Sequence, residues 1–476
     1  MPNFTKLDGT DITIDSEELA RLGASLQGEL LTPEIPEYDE ARTIWNAMID
    51  RRPAAIVDCR GEQDVVHAVN FARAHGVLLS IHGAGHNIAG KAVCDGGLML
   101  TFRHLRGVEV DVDSATVRVE PGATLGDVDA ATQEHGLAIP TGINSTTGIA
   151  GLTLGGGFGW LSRKHGLTVD SLLSARVVLA DGSLVTASES ENADLFWGLR
   201  GGGGNFGVVT SFEFQAHAVG PEVLAGLIVH PLADAASVLR QYRDFLSDAP
   251  DEVTVWCVMR KAPPLPFLPE EVHGTEVLVL AAMYAGDMVA GEAALAPIRA
   301  IGDPIADVIG PSPFAGWQQA FDPLLTPGER NYWKTHDFDA MSDDLIDSVV
   351  EYVGSLPDAQ TEVFIAQLGG APSRVPEDAT AYQGRSAQYL MNVHGRWSDA
   401  SKDDACVAWC RDLFSATEQF ATGEAYVNFL TDEEGDRLES AYGSNYGRLV
   451  QVKDRYDPDN LFRMNQNIAP TPLSTP

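Results

Sequence analysis

The stretches HGAGHNIAG (His82–Gly90) and TGIAGLTLGGGFG (Thr147–Gly159) decide how this chain is read. A residue without a β-carbon lets the backbone approach a ligand closely and aim its N–H groups at oxygens, so a glycine run makes a concave anion nest. Two such runs, about 60 residues apart, can clamp a pyrophosphate from two sides without any lysine. Glycines serving only tight turns would explain one loop, but two of them beside a histidine point to a ligand. A third run, Gly202–Gly207, fits GxGxxG formally. In a dinucleotide fingerprint those glycines leave a strand and open a helix. Here a helix-like segment precedes them and a strand follows, so a nicotinamide Rossmann site is set aside.

Outward from the loops, strand and helix patterns alternate. Toward the N-terminus lie a helix near Ser16–Leu26, a strand Ala54–Asp58, a helix Glu62–His75 stopped by Gly76, and an apolar run Val77–Ile81. Between the loops, Gly107–Val112 and Thr116–Glu120 read as a hairpin, and Leu125–His135 as a helix closed by Gly136. Beyond them, Ala175–Ala180 and Leu184–Thr186 form a second hairpin, followed by a strand Val208–Phe214. From about His217 the elements lengthen. Strands are expected at Val223–His230, Val253–Met259, Glu276–Ala282, Glu362–Leu368 and Tyr389–His394, with helices at Asp234–Leu246, Ala293–Ile301, Asp343–Val353 and Asp403–Ala421. Without a steady βαβ cadence this is an α+β arrangement, an antiparallel sheet covered on one face. Short elements return at the end, with a strand at Tyr426–Leu430 and a helix near Arg448–Arg455.

The 476 residues carry 67 Asp and Glu against 32 Lys and Arg, a formal net charge of −35. A surface this acidic repels nucleic acid, and no apolar run is long enough for a membrane span. The N-terminus shows no export signal, so a cytoplasmic protein is expected. Only seven of the basic residues are lysines, and excess carboxylate with little lysine suits a protein working in concentrated salt. The five scattered cysteines make neither a disulfide framework nor a zinc site, and no metal is expected.

Ordered motifs spanning nearly the whole chain carry a resemblance. PAAIVDC (53–59), the His82–Gly90 loop, LTLGGGFGWLSRKHGL (152–167), DLFWGLRGGGGNFGVVTSFEF (194–214), GGAPSRVP with DATAY (369–382), and YGSNYGRL with YDPDNLF (442–462) resemble the berberine bridge enzyme-like family. That family belongs to the vanillyl-alcohol oxidase and p-cresol methylhydroxylase superfamily of flavoproteins. The resemblance implies an FAD-binding domain split between residues 1–217 and 425–476, interrupted by a substrate domain at 218–424 whose antiparallel sheet covers the flavin. It implies an FAD-dependent oxidoreductase that takes hydride from an alcohol, lactol or similar C–H centre and passes electrons to O₂ or another acceptor. A flavin-dependent oxygenase, or an FAD-binding protein without turnover, stays open beside it, as do the substrate and the oligomeric state.

Relatives commonly tether the flavin through the histidine of a GGGH-type motif, which falls here on His86, after Gly83, Ala84 and Gly85. Many add a bond through a cysteine in a PAGxC context; that position is Asn144, so a single bond, through His86, is implied. His82 stands where an arginine is common. The resemblance also places at the cofactor Asn87, Gly90, Thr147, Gly148, Gly151, Leu152, Gly156, Gly157, Gly159, Gly207, Val208, Tyr446 and Asn465. In relatives the residue at Thr147 governs oxygen access, and its small β-branched side chain favours an oxidase. The usual base is the second tyrosine of a YxNY segment; here that position is Phe429, which cannot accept a proton. Strand alternation in YLMNVH puts Leu390, Asn392 and His394 on one face. His394 is therefore the expected base, with an ionisation near 6–7, Asn392 its orienting amide and Tyr442 the next candidate. Phe314, Trp317, Phe321, Tyr332 and Trp333 are candidate pocket aromatics.

Overall fold

The computed structural model describes residues 3–472. Its largest element is an antiparallel sheet of eight strands. Along the sheet the order is Ala306–Asp307, Glu222–Pro231, Glu276–Tyr284, Val253–Lys261, Glu362–Gln367, Tyr389–Trp397 and Arg330–Phe338, and Gly310–Pro313 also pairs with Glu222–Pro231. The period-2 pattern of these strands sorts their side chains to two faces. On one face Val255, Cys257, Leu280, Val363, Ile365, Met391 and Val393 form a core with the helices Ala235–Leu246, Met288–Arg299, Asp343–Val353 and Asp403–Thr417. On the other, Trp256, Ala281, Ala366 and Leu390 pack against Phe158, Trp160, Leu167 and Tyr426 from outside the sheet.

Two smaller sheets carry the glycine loops. One has the order Glu29–Leu31, Ala55–Asp58, Leu98–Thr101, Leu79–His82, its last three strands parallel. The other is antiparallel, in the order Leu184–Ser188, Leu172–Val178, Val208–Gln215, Thr116–Val119, Val108–Asp111. Both hairpins expected from sequence are therefore present. The helix Glu62–His75 has Glu62 and Asp64 in its first turn and ends at Gly76, whose φ of 61° is the left-handed conformation that glycine adopts without penalty. The buried Asp64 carboxylate accepts the backbone N–H groups of Gln27, Gly28 and Arg60, which ties the N-terminal segment to this helix.

Two departures from the sequence reading bear on the cavity. Arg330–Phe338 is a nine-residue strand that the alternation did not reveal, because Lys334, His336 and Asp337 are all buried in it. The segment after residue 424 covers this edge strand, and Lys334 pairs with Glu433 at 2.9 Å and Glu434 at 3.3 Å. Tyr426–Leu430 is not a strand; Val427–Phe429 makes one turn of 3-10 helix, anchored by the Asn428 amide on the Leu152 carbonyl at 3.2 Å. Among the described residues no helix is long and apolar enough to cross a membrane.

Candidate functional site

A cavity of about 300 Å³ is lined from one side by the small sheets and their loops and from the other by the large sheet. Its floor is backbone. Gly83–Asn87 leaves the strand Leu79–His82, Gly148–Leu152 opens a short helix, and Gly203–Gly204 with Gly207–Val208 precedes and begins the strand Val208–Gln215. The first two loops touch: a β-carbon on Gly148 would lie 2.9 Å from Ala84 Cβ. At Gly151 nothing stands within 4 Å of that position, so the backbone faces open space. Asn465 reaches back from the C-terminal segment and donates to the Gly204 carbonyl at 2.9 Å. Ile81, Phe102, Leu154, Val209 and Met464 give the rest of this side an apolar lining.

Of the residues expected at a cofactor, Gly83, Ala84, Gly85, His86, Asn87, Thr147, Gly148, Gly151, Leu152, Gly207, Val208 and Asn465 border the cavity. The others support the loops from outside it. His82 lies beneath its loop, with Nε2 2.7 Å from where a Gly85 β-carbon would sit. Gly90 is packed on Ile49, Gly156 on the Tyr382 ring, Gly157 on Thr168 and Gly159 on the Thr141 carbonyl, so these four are glycines for close packing rather than ligand contact. Tyr446 begins the last helix and stacks at 6.5 Å on Tyr442, also away from the cavity.

His86 stacks on Trp45 at 5.3 Å, and its Nε2 lies 2.9 Å from Thr146 Oγ1. Desolvation, with His82 nearby, pushes its pKa down to about 4, so the imidazole is neutral at pH 7. Asn144 organises this corner: Oδ1 accepts from Thr146 N at 3.0 Å and Oγ1 at 2.7 Å, while Nδ2 donates to the Leu325 carbonyl at 3.3 Å. Thr147 Oγ1 is 3.5 Å from His86 Nδ1.

On the opposite wall the ladder register brings Arg260, Glu362, His394 and Trp333 into one row across four neighbouring strands. Glu362 Oε2 accepts from Arg260 Nη1 at 2.6 Å, and its Oε1 is 3.2 Å from His394 Nδ1. Although burial opposes ionisation, Arg260 and His394 hold the Glu362 carboxyl down to about 2. The carboxylate therefore fixes a proton on Nδ1 and leaves Nε2 as the basic atom, which has no hydrogen-bond partner. Burial lowers the His394 pKa below its ordinary value, with Glu362 opposing and Arg396 and Arg260 adding to the effect.

Three expectations need correction. Asn392 does share a face with His394, but it is fully buried off the cavity, and its ladder neighbour Phe364 borders the cavity instead. Tyr442 is 1 % exposed and lies behind the Gly203 loop, so it is on no wall that a substrate could reach. Of the five candidate aromatics only Trp333 borders the cavity. Tyr332, its neighbour along the strand, necessarily points to the other face, where it binds Glu433 and Arg411. Phe314, Trp317 and Phe321 belong to the apolar cluster behind the wall. Sequence reasoning missed Trp45, Phe158, Trp256, Phe364, Glu362 and Arg260. Period 2 within Val253–Met259 and Glu362–Leu368 already puts Trp256, Glu362 and Phe364 on inner faces, but only the ladder register shows that Glu362 meets His394.

A glycine-walled dinucleotide cradle under an antiparallel sheet defines a flavin-dependent oxidoreductase. Residues 53–188 match the model of the FAD binding domain and residues 425–469 that of the berberine and berberine-like proteins. An uncharacterized FAD-linked oxidoreductase of Bacillus subtilis, YgaK, is 31 % identical over 94 % of this chain and 97 % of its own. The 6-hydroxy-D-nicotine oxidase of Arthrobacter nicotinovorans superposes with a TM-score of 0.84 at 26 % identity, over 94 % of this chain and 99 % of that one. Xylooligosaccharide oxidase from Myceliophthora thermophila, solved with xylobiose, gives 0.83 at 26 %, over 96 % and 100 %. The chain belongs to the berberine bridge enzyme-like family of FAD-linked oxidoreductases. It is an enzyme that binds FAD, and the cradle fits that cofactor. Bare backbone at Gly151 leaves room for a pyrophosphate, and the apolar lining from Ile81 to Met464 suits a fused ring system.

Proposed function

We propose that the protein oxidises an alcohol or lactol carbon, with FAD attached through His86 alone and His394 as the base. The flavin half is residues 1–217 and 425–476 and the substrate half 218–424; residues 1–2 and 473–476 lie outside those described. Bound FAD supplies an acceptor for the hydride that leaves carbon. The observation that carries the reading is the ordered pair of Glu362 and His394 at 3.2 Å: both residues border the cavity, and His394 Nε2 is buried without a hydrogen-bond partner. His394 takes the hydroxyl proton as hydride departs, and Glu362 stabilises the imidazolium that forms. Phe429 contributes no proton chemistry. His86, neutral in its enclosed corner, has one nitrogen lone pair with which to bond the cofactor in place of a threonine hydroxyl, and Asn144 offers no second bond. Thr147 at the cavity supports O₂ as the electron acceptor, and the protein is placed in the cytoplasm.

The deciding experiment is anaerobic mixing of the holoenzyme with a panel of alcohols and sugars. Bleaching of the flavin absorbance is expected. A broad panel without bleaching overturns the proposal in favour of a protein that binds FAD without turnover, and oxygen inserted into product points to an oxygenase.

A further inference from the structure

The corner around His86 is a run of hydrogen bonds in which each group's role is fixed by the next. Asn144, 9 % exposed, stands at its centre. The atom of its amide that meets the Thr146 backbone N–H at 3.0 Å receives a proton and is the oxygen; the atom that meets the Leu325 carbonyl at 3.3 Å gives one and is the nitrogen. Both contacts orient the amide the same way. The Thr146 hydroxyl lies 2.7 Å from that oxygen, which has no proton to offer, and so spends its single proton there. Toward His86 Nε2, at 2.9 Å, Thr146 Oγ1 can then only accept. Nε2 therefore carries the proton of the neutral ring. The lone pair is left on Nδ1, whose contact with Thr147 Oγ1 is long, at 3.5 Å.

The substrate half holds this arrangement from outside. The Leu325 carbonyl that receives the Asn144 amide also receives the Trp45 indole N–H at 3.2 Å, and Trp45 is the ring stacked on His86. One turn of 3-10 helix, Asp322–Leu324, precedes that carbonyl, and the Asp322 carboxylate accepts from Ser145 N at 2.9 Å and from the Ser145 hydroxyl. An asparagine that merely shaped a turn would need its bond to the Thr146 backbone and neither of the other two.

We infer that Asn144 is a positioning residue for cofactor attachment: acting through Thr146, it decides which nitrogen of His86 bonds the flavin. This rests on the reading of His86 as the tether and goes beyond it. The lone pair on Nδ1 forms the bond to the methyl carbon on the benzenoid ring of the flavin. That carbon loses one proton and the imidazole loses the one on Nε2, both to water; the electron pair of the broken C–H bond stays on the flavin and is passed to O₂. Without Asn144 the Thr146 hydroxyl is free to donate to Nε2, which moves the ring proton to Nδ1 and ties up the lone pair.

The test reads the bond itself and not turnover. Holoenzyme is precipitated with acid, the retained flavin is measured against the total, and the flavin peptide cut from the pellet is examined by NMR for the substituted nitrogen. Wild-type protein is expected to retain its flavin, bonded at Nδ1. Asn144→Ala should still bind FAD, with the attached fraction lowered roughly tenfold or more, or with a bond at Nε2. Asn144→Asp, whose carboxylate can accept from both Thr146 groups, should keep the bond at Nδ1. Thr146→Val breaks the same link while preserving the turn; it should behave as Asn144→Ala and carries the test if that variant does not fold. Wild-type protein that releases all its flavin removes the tether reading and this inference with it. Wild-type flavin bonded at Nε2, or undiminished attachment at Nδ1 in both Asn144→Ala and Thr146→Val, overturns this inference alone.

Discussion

At the scale of single residues, the chemistry turns on which histidine nitrogen carries a proton. His394→Ala should slow flavin reduction by roughly 10² or more while leaving flavin attachment intact. Because burial holds the His394 pKa below its ordinary value of 6.5, the base is already free at neutral pH. The reductive rate should therefore be flat near pH 7 and fall only in acid, as Nε2 becomes protonated below that value. A sequence-based expectation of an ionisation at 6–7 misses this, since it contains neither the burial nor the two arginines. Glu362→Gln removes the anion that orients the ring and leaves Arg260 without its partner. It should cost roughly 10-fold or more in rate and push the acid limb lower still, whereas a merely structural carboxylate would leave the profile in place. His86→Ala should shift the flavin from the pellet to the supernatant on acid precipitation; wild-type protein that releases all its flavin on the same treatment removes the covalent assignment.

Elements explain how much of this could be read beforehand. Strands whose two faces both meet apolar material announced themselves, as in Val253–Lys261, and so did helices with a marked stop such as Gly76. The strand Arg330–Phe338 was hidden because its buried Lys334 is paired by a segment a hundred positions away, which no local pattern reports. The same limit hid the junction between the helices Leu125–Gln133 and Phe314–Gln318, where Asp129 is 1 % exposed. Gln318 Nε2 bridges its carboxyl at 3.2 Å to Thr141 and Gly142, just ahead of Asn144, while Oδ1 has no partner. Burial raises this carboxyl from 3.8 to about 7. The folded form holds a proton that the unfolded chain has already lost, so the group's stabilising contribution fades as pH rises from about 4 to 7. Asp129→Asn keeps the acceptor and removes the ionisation. It should leave the melting temperature nearly unchanged at pH 4 and raise it above pH 7, by an amount corresponding to about 2–4 kcal/mol. An equal shift at both pH values would show that ionisation is not the cause.

Over the whole molecule, a net charge of −35 makes self-repulsion a global term that no single ion pair offsets. Screening shortens the reach of that repulsion to about 3 Å at 1 M salt, so the melting temperature should climb between low salt and molar KCl. An unchanged value would detach the acidity from salt tolerance. The molecule's order of assembly is also written in its cavity. The first glycine loop is made early, but the wall is not closed until Met464 and Asn465 arrive nearly 400 residues later. At ribosomal speeds of 5–20 residues per second, that interval is roughly 20–80 s. The nascent chain must therefore wait with an unfinished pocket, and capture of the vitamin-derived cofactor becomes one of the last events in its biogenesis.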